Sequence, residues 1–125
     1  MVEKPETVLA FLDDVRNVVE AVLGQAGFDV VSTSTGRDGV RAVESHRPTI
    51  VTLDIGLPDI DGFEVLRRIR HFSNAYVVML TGRTEEPDLL SALNAGADDY
   101  IAKPFSPREL LTRVEEVLDL RLLEP

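Results

Sequence analysis

Short apolar runs rich in β-branched and aromatic residues recur along the chain at Thr7–Leu12, Phe28–Ser32, Thr49–Leu53, Ala75–Leu80 and Tyr100–Ala102. Between them the apolar positions change period. Val15, Val18, Val19, Val22, Leu23 and Ala26 follow i, i+3, i+4, i+7, i+8 and i+11, one face of a helix. Val40 and Val43 repeat the spacing in a second unit, Phe63, Leu66 and Ile69 in a third, and Leu89, Leu90 and Leu93 in a fourth. Leu110, Leu111, Val114, Val117 and Leu118 complete a fifth. Strand and helix therefore alternate through the whole chain, and the middle strands are apolar on both faces. That pattern predicts a parallel sheet covered by helices on both sides.

Polar punctuation supports these boundaries. Thr35 with Asp38, Asp61 with Glu64 and Ser106 with Glu109 have the spacing of an N-cap followed by an acid at N3. Pro107 falls at the first helical position, where a missing N–H is harmless. Gly27 and Gly96 stand just past helical runs, where left-handed C-caps form. His46 and His71 fall near helix C-termini, where a cation is favoured, and lack the partner spacing of metal ligands.

In open parallel sheets a ligand binds beyond the carboxyl ends of the strands, so the loops there are where chemistry is to be sought. The first strand runs into Asp13–Asp14, and the third into Asp54, Gly56, Pro58, Asp61 and Gly62. The fourth runs into Thr81–Gly82, and the fifth into Lys103–Pro104–Phe105. Carboxylates gathered on one rim repel and need a cation to coexist. Hard oxygen ligands of this kind suit Mg²⁺, which takes one or two carboxylates and keeps waters and phosphate oxygens. Beside such a metal Asp54 has the chemistry of a nucleophile toward a phosphoryl group. Lys103 and Thr81 would then offset charge on the transferred group.

Composition narrows the function further. The 125 residues are 44% hydrophobic and 28% charged, ordinary for one folded domain, with no cysteine for disulfide, thiolate–metal or cysteine-nucleophile chemistry. No apolar run reaches the roughly 18 residues that span a bilayer, which predicts a cytoplasmic protein without a membrane partner. Thirteen Lys and Arg against 22 Asp and Glu leave a formal charge of −9, which argues against direct nucleic-acid binding by this segment.

The run Leu53-Asp54-Ile55-Gly56-Leu57-Pro58-Asp59-Ile60-Asp61-Gly62, then Thr81-Gly82, then Gly96-Ala97-Asp98-Asp99-Tyr100-Ile101-Ala102-Lys103-Pro104-Phe105, resembles the receiver domains of two-component response regulators. It looks most like those attached to winged-helix DNA-binding domains. The resemblance implies a flavodoxin-like, doubly wound (βα)5 three-layer sandwich with parallel strand order 2-1-3-4-5. It also implies a single receiver domain over residues 1–125, with its core at about 7–120 and a linker beyond 120 toward an effector absent from this chain. By the same resemblance Asp54 accepts a phosphoryl group from a histidine kinase, and Asp54, the Gly56 carbonyl and Asp13 or Asp14 hold Mg²⁺. Thr81, Lys103 and Tyr100 are then the switch and phosphate-contact residues. The switched surface is formed by the fourth helix, fifth strand and fifth helix. Asp98, Asp99, Arg113, Leu89 and Leu90 are its candidate interface residues, for a homodimer. The domain would not be an enzyme beyond its own phosphotransfer and slow autodephosphorylation.

Two alignments of the first strand stay open. Matching the first helix without gaps puts Ala10 and Phe11 where the family carries its acidic pair, giving a degenerate receiver that works as a phosphate-independent interaction module. Taking Val8–Leu12 as the strand makes Asp13–Asp14 the pair and leaves almost no turn before the helix. An aspartyl-phosphate phosphatase of the haloacid dehalogenase type wants an acid or threonine two residues after the nucleophile, where this chain has Gly56.

Overall fold

The computed structural model describes residues 7–11, 16–54, 59–81, 94–102 and 105–122, with side chains described at 7–10, 20–54, 59–80, 94–102 and 105–116. In chain order the elements are β1 (Thr7–Phe11), α1 (Arg16–Gln25), β2 (Asp29–Thr33), α2 (Gly36–His46), β3 (Ile50–Asp54), α3 (Gly62–Arg70), β4 (Tyr76–Thr81), β5 (Asp99–Ala102) and α4 (Pro107–Leu122). The helical stretch expected around Leu89–Leu93 lies outside the described residues; Asn94 and Ala95 are helical. The helix called α4 here is therefore the fifth one that the sequence pattern predicts.

All strand pairs are parallel, and the order is β2-β1-β3-β4-β5. The apolar pattern places β2, β3 and β4 about one residue too early. Each strand runs on to a polar residue (Thr33, Asp54 and Thr81) that adds nothing to a hydrophobic pattern but still occupies a register position. The residues that matter for chemistry are thus the last rungs of the ladder.

Each sheet face has its own core. One cluster joins Leu9, Val51, Leu53, Val77 and Met79 to Val43 of α2 and Val65, Leu66 and Ile69 of α3. The other joins Val8, Ala10, Ile50, Val78, Leu80 and Ile101 to Leu23 of α1 and Leu110 and Val114 of α4. Burying β3 on both faces, every residue from Ile50 to Asp54, explains why its alternation is weak in the sequence.

The predicted caps form. The Thr35 side chain accepts from the amide of Asp38 at 3.2 Å, Asp61 from that of Phe63 at 2.6 Å, and Ser106 from that of Glu109 at 3.1 Å. Glu64 does not complete a capping box; its carboxylate takes bonds from Arg67 at 2.6 and 2.9 Å and from Arg68 at 2.8 Å. Gly27 and Gly96 have φ of 98° and 110°, as their C-cap positions require. Arg47 closes α2 at φ 48°, a left-handed position where the sequence offers neither glycine nor asparagine.

Candidate functional site

β3 lies at the centre of the sheet, between β1 and β4, and ends on Asp54, which is 3% exposed. Its register partner on β4 is Leu80, and Thr81 follows as the last residue of that strand. Thr81 in turn stands abreast of Ala102, the last residue of β5. The three strand ends thus bring Asp54, Thr81 and Ala102 to one edge of the sheet. The strand order also reverses here. β1 leads outward to β2, and β3 leads the other way to β4, so Asp54 stands at the topological switch point where open α/β sheets bind ligands. Asp54 is thus a nearly buried carboxylate at that point, and burial of this kind is costly unless the charge is met.

On the other side of β3, β1 reaches only to Phe11, abreast of Leu53 and one rung short of Asp54. Ala10, abreast of Thr52, is fully buried. Asp13, Asp14, Gly56, Lys103, Leu89 and Leu90 lie outside the described residues. Among the described residues no group of three or more acids and histidines stands together to hold a metal. Asp54 by itself is a strand-end carboxylate of the hard-oxygen kind that Mg²⁺ takes singly or in pairs.

The loop after β3 is held at its far end. The Asp59 carboxylate accepts from the amides of Gly36 at 2.7 Å and Arg37 at 3.0 Å, the first turn of α2. Those bonds, from Arg37 first and Gly36 second, hold its pKa below the ordinary carboxylate value. Asp61, two residues on, caps α3. Both carboxylates near Asp54 in sequence thus serve helix N-termini.

Tyr100 is half-buried, abreast of Met79, and packs against the cluster under α2 and α3. Asp98 and Asp99 are separately engaged. Asp98 accepts from the amide of Val77 at 3.0 Å and from Arg70 at 2.8 Å. Asp99 takes one guanidinium nitrogen of Arg113 at 2.7 and 2.8 Å. Burial first, then the charges of Asp99 and Asp98, pushes the Tyr76 phenol up to about 12. Arg70 also donates to the carbonyls of Gly96 at 2.9 Å, Ala75 at 2.6 Å and Ser73 at 3.3 Å, tying α3 to the chain entering β4 and β5. Sequence reasoning missed Asp59, Arg70 and Tyr76. The partners of Asp59 lie 22 and 23 residues away and those of Arg70 up to 28, beyond the reach of any local pattern.

This geometry agrees with what the chain is similar to. The family profile described as the response regulator receiver domain matches residues 12–115. The chain belongs to that family. Its matched range opens just after β1. Among curated relatives it is 40% identical over 111 residues to the transcriptional regulatory protein KdpE of Mycobacterium tuberculosis, covering 86% of this chain and 49% of that one. It is 38% identical over 111 residues to the alkaline phosphatase synthesis transcriptional regulatory protein PhoP of Bacillus subtilis, covering 86% and 46%. The chain spans about half the length of the curated relatives it matches. A CheY-like response regulator receiver domain protein from Methanospirillum hungatei superposes with a TM-score of 0.91 at 30% identity, covering 98% of this chain and all of the other. The receiver domain of the sensor histidine kinase PA1611 from Pseudomonas aeruginosa, solved with a magnesium ion coordinated in its active-site cleft, superposes with a TM-score of 0.80 at 29% identity, covering 90% and 97%. The expected flavodoxin-like architecture and strand order are therefore present, and the domain is regulatory in kind. Among the described residues no helix is long and apolar enough to cross a membrane.

Proposed function

We propose that the domain accepts a phosphoryl group on Asp54 from the phosphohistidine of a kinase. The observation that supports this best is a nearly buried carboxylate at the switch point of the sheet, beside the Thr81 strand end. An Asp54 carboxylate oxygen attacks phosphorus, the P–N bond to the kinase imidazole breaks, and an acyl phosphate forms. Asp54, the Gly56 carbonyl and Asp13 or Asp14 would hold Mg²⁺, which when bound neutralises charge on the phosphoryl oxygens. Thr81 and Lys103 contact those oxygens, and Tyr100 follows the change of the loop after β4. The consequence is a shift of the surface formed by the fourth predicted helix, β5 and α4, where Asp98, Asp99, Arg113, Leu89 and Leu90 are the interface candidates for a homodimer. Residues 1–125 form a cytoplasmic receiver unit that controls a DNA-binding effector and binds no nucleic acid itself.

The test is a small phosphodonor with Mg²⁺, read by intact mass. One added phosphoryl group is expected, absent in Asp54→Asn; no adduct at any donor level would refute the reading. A second reading is a phosphate-independent interaction module. It is favoured by β1 closing with Ala10 and Phe11, abreast of Thr52 and Leu53, with no acid among its described residues. It expects partner binding unchanged in Asp54→Asn and no Mg²⁺-dependent shift of amides near Asp54.

A further inference from the structure

On the sheet face covered by α1 and α4, the residues abreast of one another change character toward the strand ends. Val30, Val8, Ile50 and Tyr76 form one row, all apolar or aromatic. The next row toward the Asp54 edge on this face holds Ser32, Ala10, Thr52 and Val78. Thr52 is fully buried, and neither its Oγ1 nor the buried Oγ of Ser32 has a hydrogen-bond partner among the described residues. Residues abreast in a parallel sheet point to the same face. The two hydroxyls therefore flank Ala10, which carries a single methyl where the row below carries Val8. Thr52 stands two residues before Asp54 and shares its face, about 6.6 Å along the strand.

Two orphaned hydroxyls in one row conflict with the rule that buried polar groups are paired, because each stranded group forfeits the hydration it had in the unfolded chain. Interior sites that are polar and roomy are resolved by ordered water, whereas apolar voids stay dry. We infer that Ser32 and Thr52 bind internal water over Ala10, in a small hydration site directly beneath Asp54. Two strand spacings of about 4.8 Å separate the hydroxyl-bearing residues. Three contacts of about 2.8 Å, through two waters, come close to that span. The ligand class is water because the donors and acceptors are two neutral, buried hydroxyls with a residue no larger than alanine between them. The site owes nothing to phosphoryl chemistry, so it stands or falls independently of the role proposed for Asp54.

The experiment pairs a high-resolution crystal structure of the whole domain with thermal unfolding of Thr52→Val, which keeps the shape of the side chain and removes the hydroxyl. Ordered density within hydrogen-bond distance of Thr52 Oγ1 or Ser32 Oγ is expected, together with a melting temperature lowered by a few degrees in Thr52→Val. Removing a hydrated hydroxyl strands the water, whereas removing a dry orphan relieves a penalty. Absence of density at both hydroxyls, or a raised melting temperature, overturns the inference. Ser32→Ala at the more exposed end of the row reports the same two signs if Thr52→Val does not fold. Ala10→Val, which adds bulk between the two hydroxyls, is expected to displace the density.

Discussion

The carboxylate of Asp59 and the amide of Gly36 meet at 2.7 Å across 23 residues of sequence, joining the loop that follows Asp54 to the first turn of α2. Arg37 adds a second amide at 3.0 Å, and Thr35 caps the third. The N-terminal amides of a helix carry partial positive charge and lack intrahelical partners, so an ionised acid there is favoured. Asp59→Ala should lower the urea midpoint by more than Asp59→Asn, which retains an acceptor. Midpoints equal to the parent's in both variants would show that the carboxylate does not hold this loop.

The same junction leaves no room for a side chain at residue 36. A Cβ there would lie 2.5 Å from Ile60 Cγ1 and 2.8 Å from Val65 Cγ2. Alanine is ordinarily the better helix former by about 1 kcal/mol, but overpacking of this kind costs about 1–3 kcal/mol. Gly36→Ala is therefore expected to destabilise the domain in urea unfolding. Gly24, whose added Cβ would meet nothing within 4 Å, should tolerate the same change.

Arg70 is the counterpart at the opposite end of the sheet. Its bonds to Gly96, Ala75, Ser73 and Asp98 join α3 to the segments entering β4 and β5. Replacing it by methionine keeps much of the stem and removes every donor, at an expected cost of about 2–3 kcal/mol in urea unfolding. Hydrogen exchange should quicken first at Val77 and Asp98, whose amides close the junction that Arg70 covers.

Glu64 gives the domain an acid-sensitive contribution. Bonds from Arg67, then Arg68, hold its pKa down to about 2 against an ordinary 4.5. Because the folded value is depressed, this contribution is present above about pH 4.5 and is lost as pH falls toward about 2. The group is exposed, so the amplitude is small and falls with salt. Urea midpoints measured across that window should fall less steeply in Glu64→Gln than in the parent.

Tyr76 acts at the alkaline end with the opposite sign. Its phenol is raised from 10 to about 12 by burial and by Asp99 and Asp98. A raised acid favours the neutral form, so its contribution is complete below about pH 10 and lost as pH climbs toward about 12. Ultraviolet titration should show a late-ionising tyrosine that disappears in Tyr76→Phe.

The sequence by itself determined the class of fold and the order of the described elements, and it pointed to the strand ends where chemistry is to be sought. Those signals are local: the period of apolar positions, caps three residues apart, and an ordered run of Asp54, Thr81 and Lys103. Thr35, Asp61 and Ser106 were readable as caps because each bonds an amide within three residues. Strand ends were misplaced by about one residue, because Asp54 and Thr81 take part in the ladder through the backbone while their side chains carry no apolar signal. Tertiary structure alone decided what Asp59, Arg70 and Tyr76 do, since their partners come from other elements. It also decided that Ser32 and Thr52 share one row with Ala10 between them. Register across three strands is set by packing of the whole sheet, and no local pattern encodes which hydroxyls it will bury side by side.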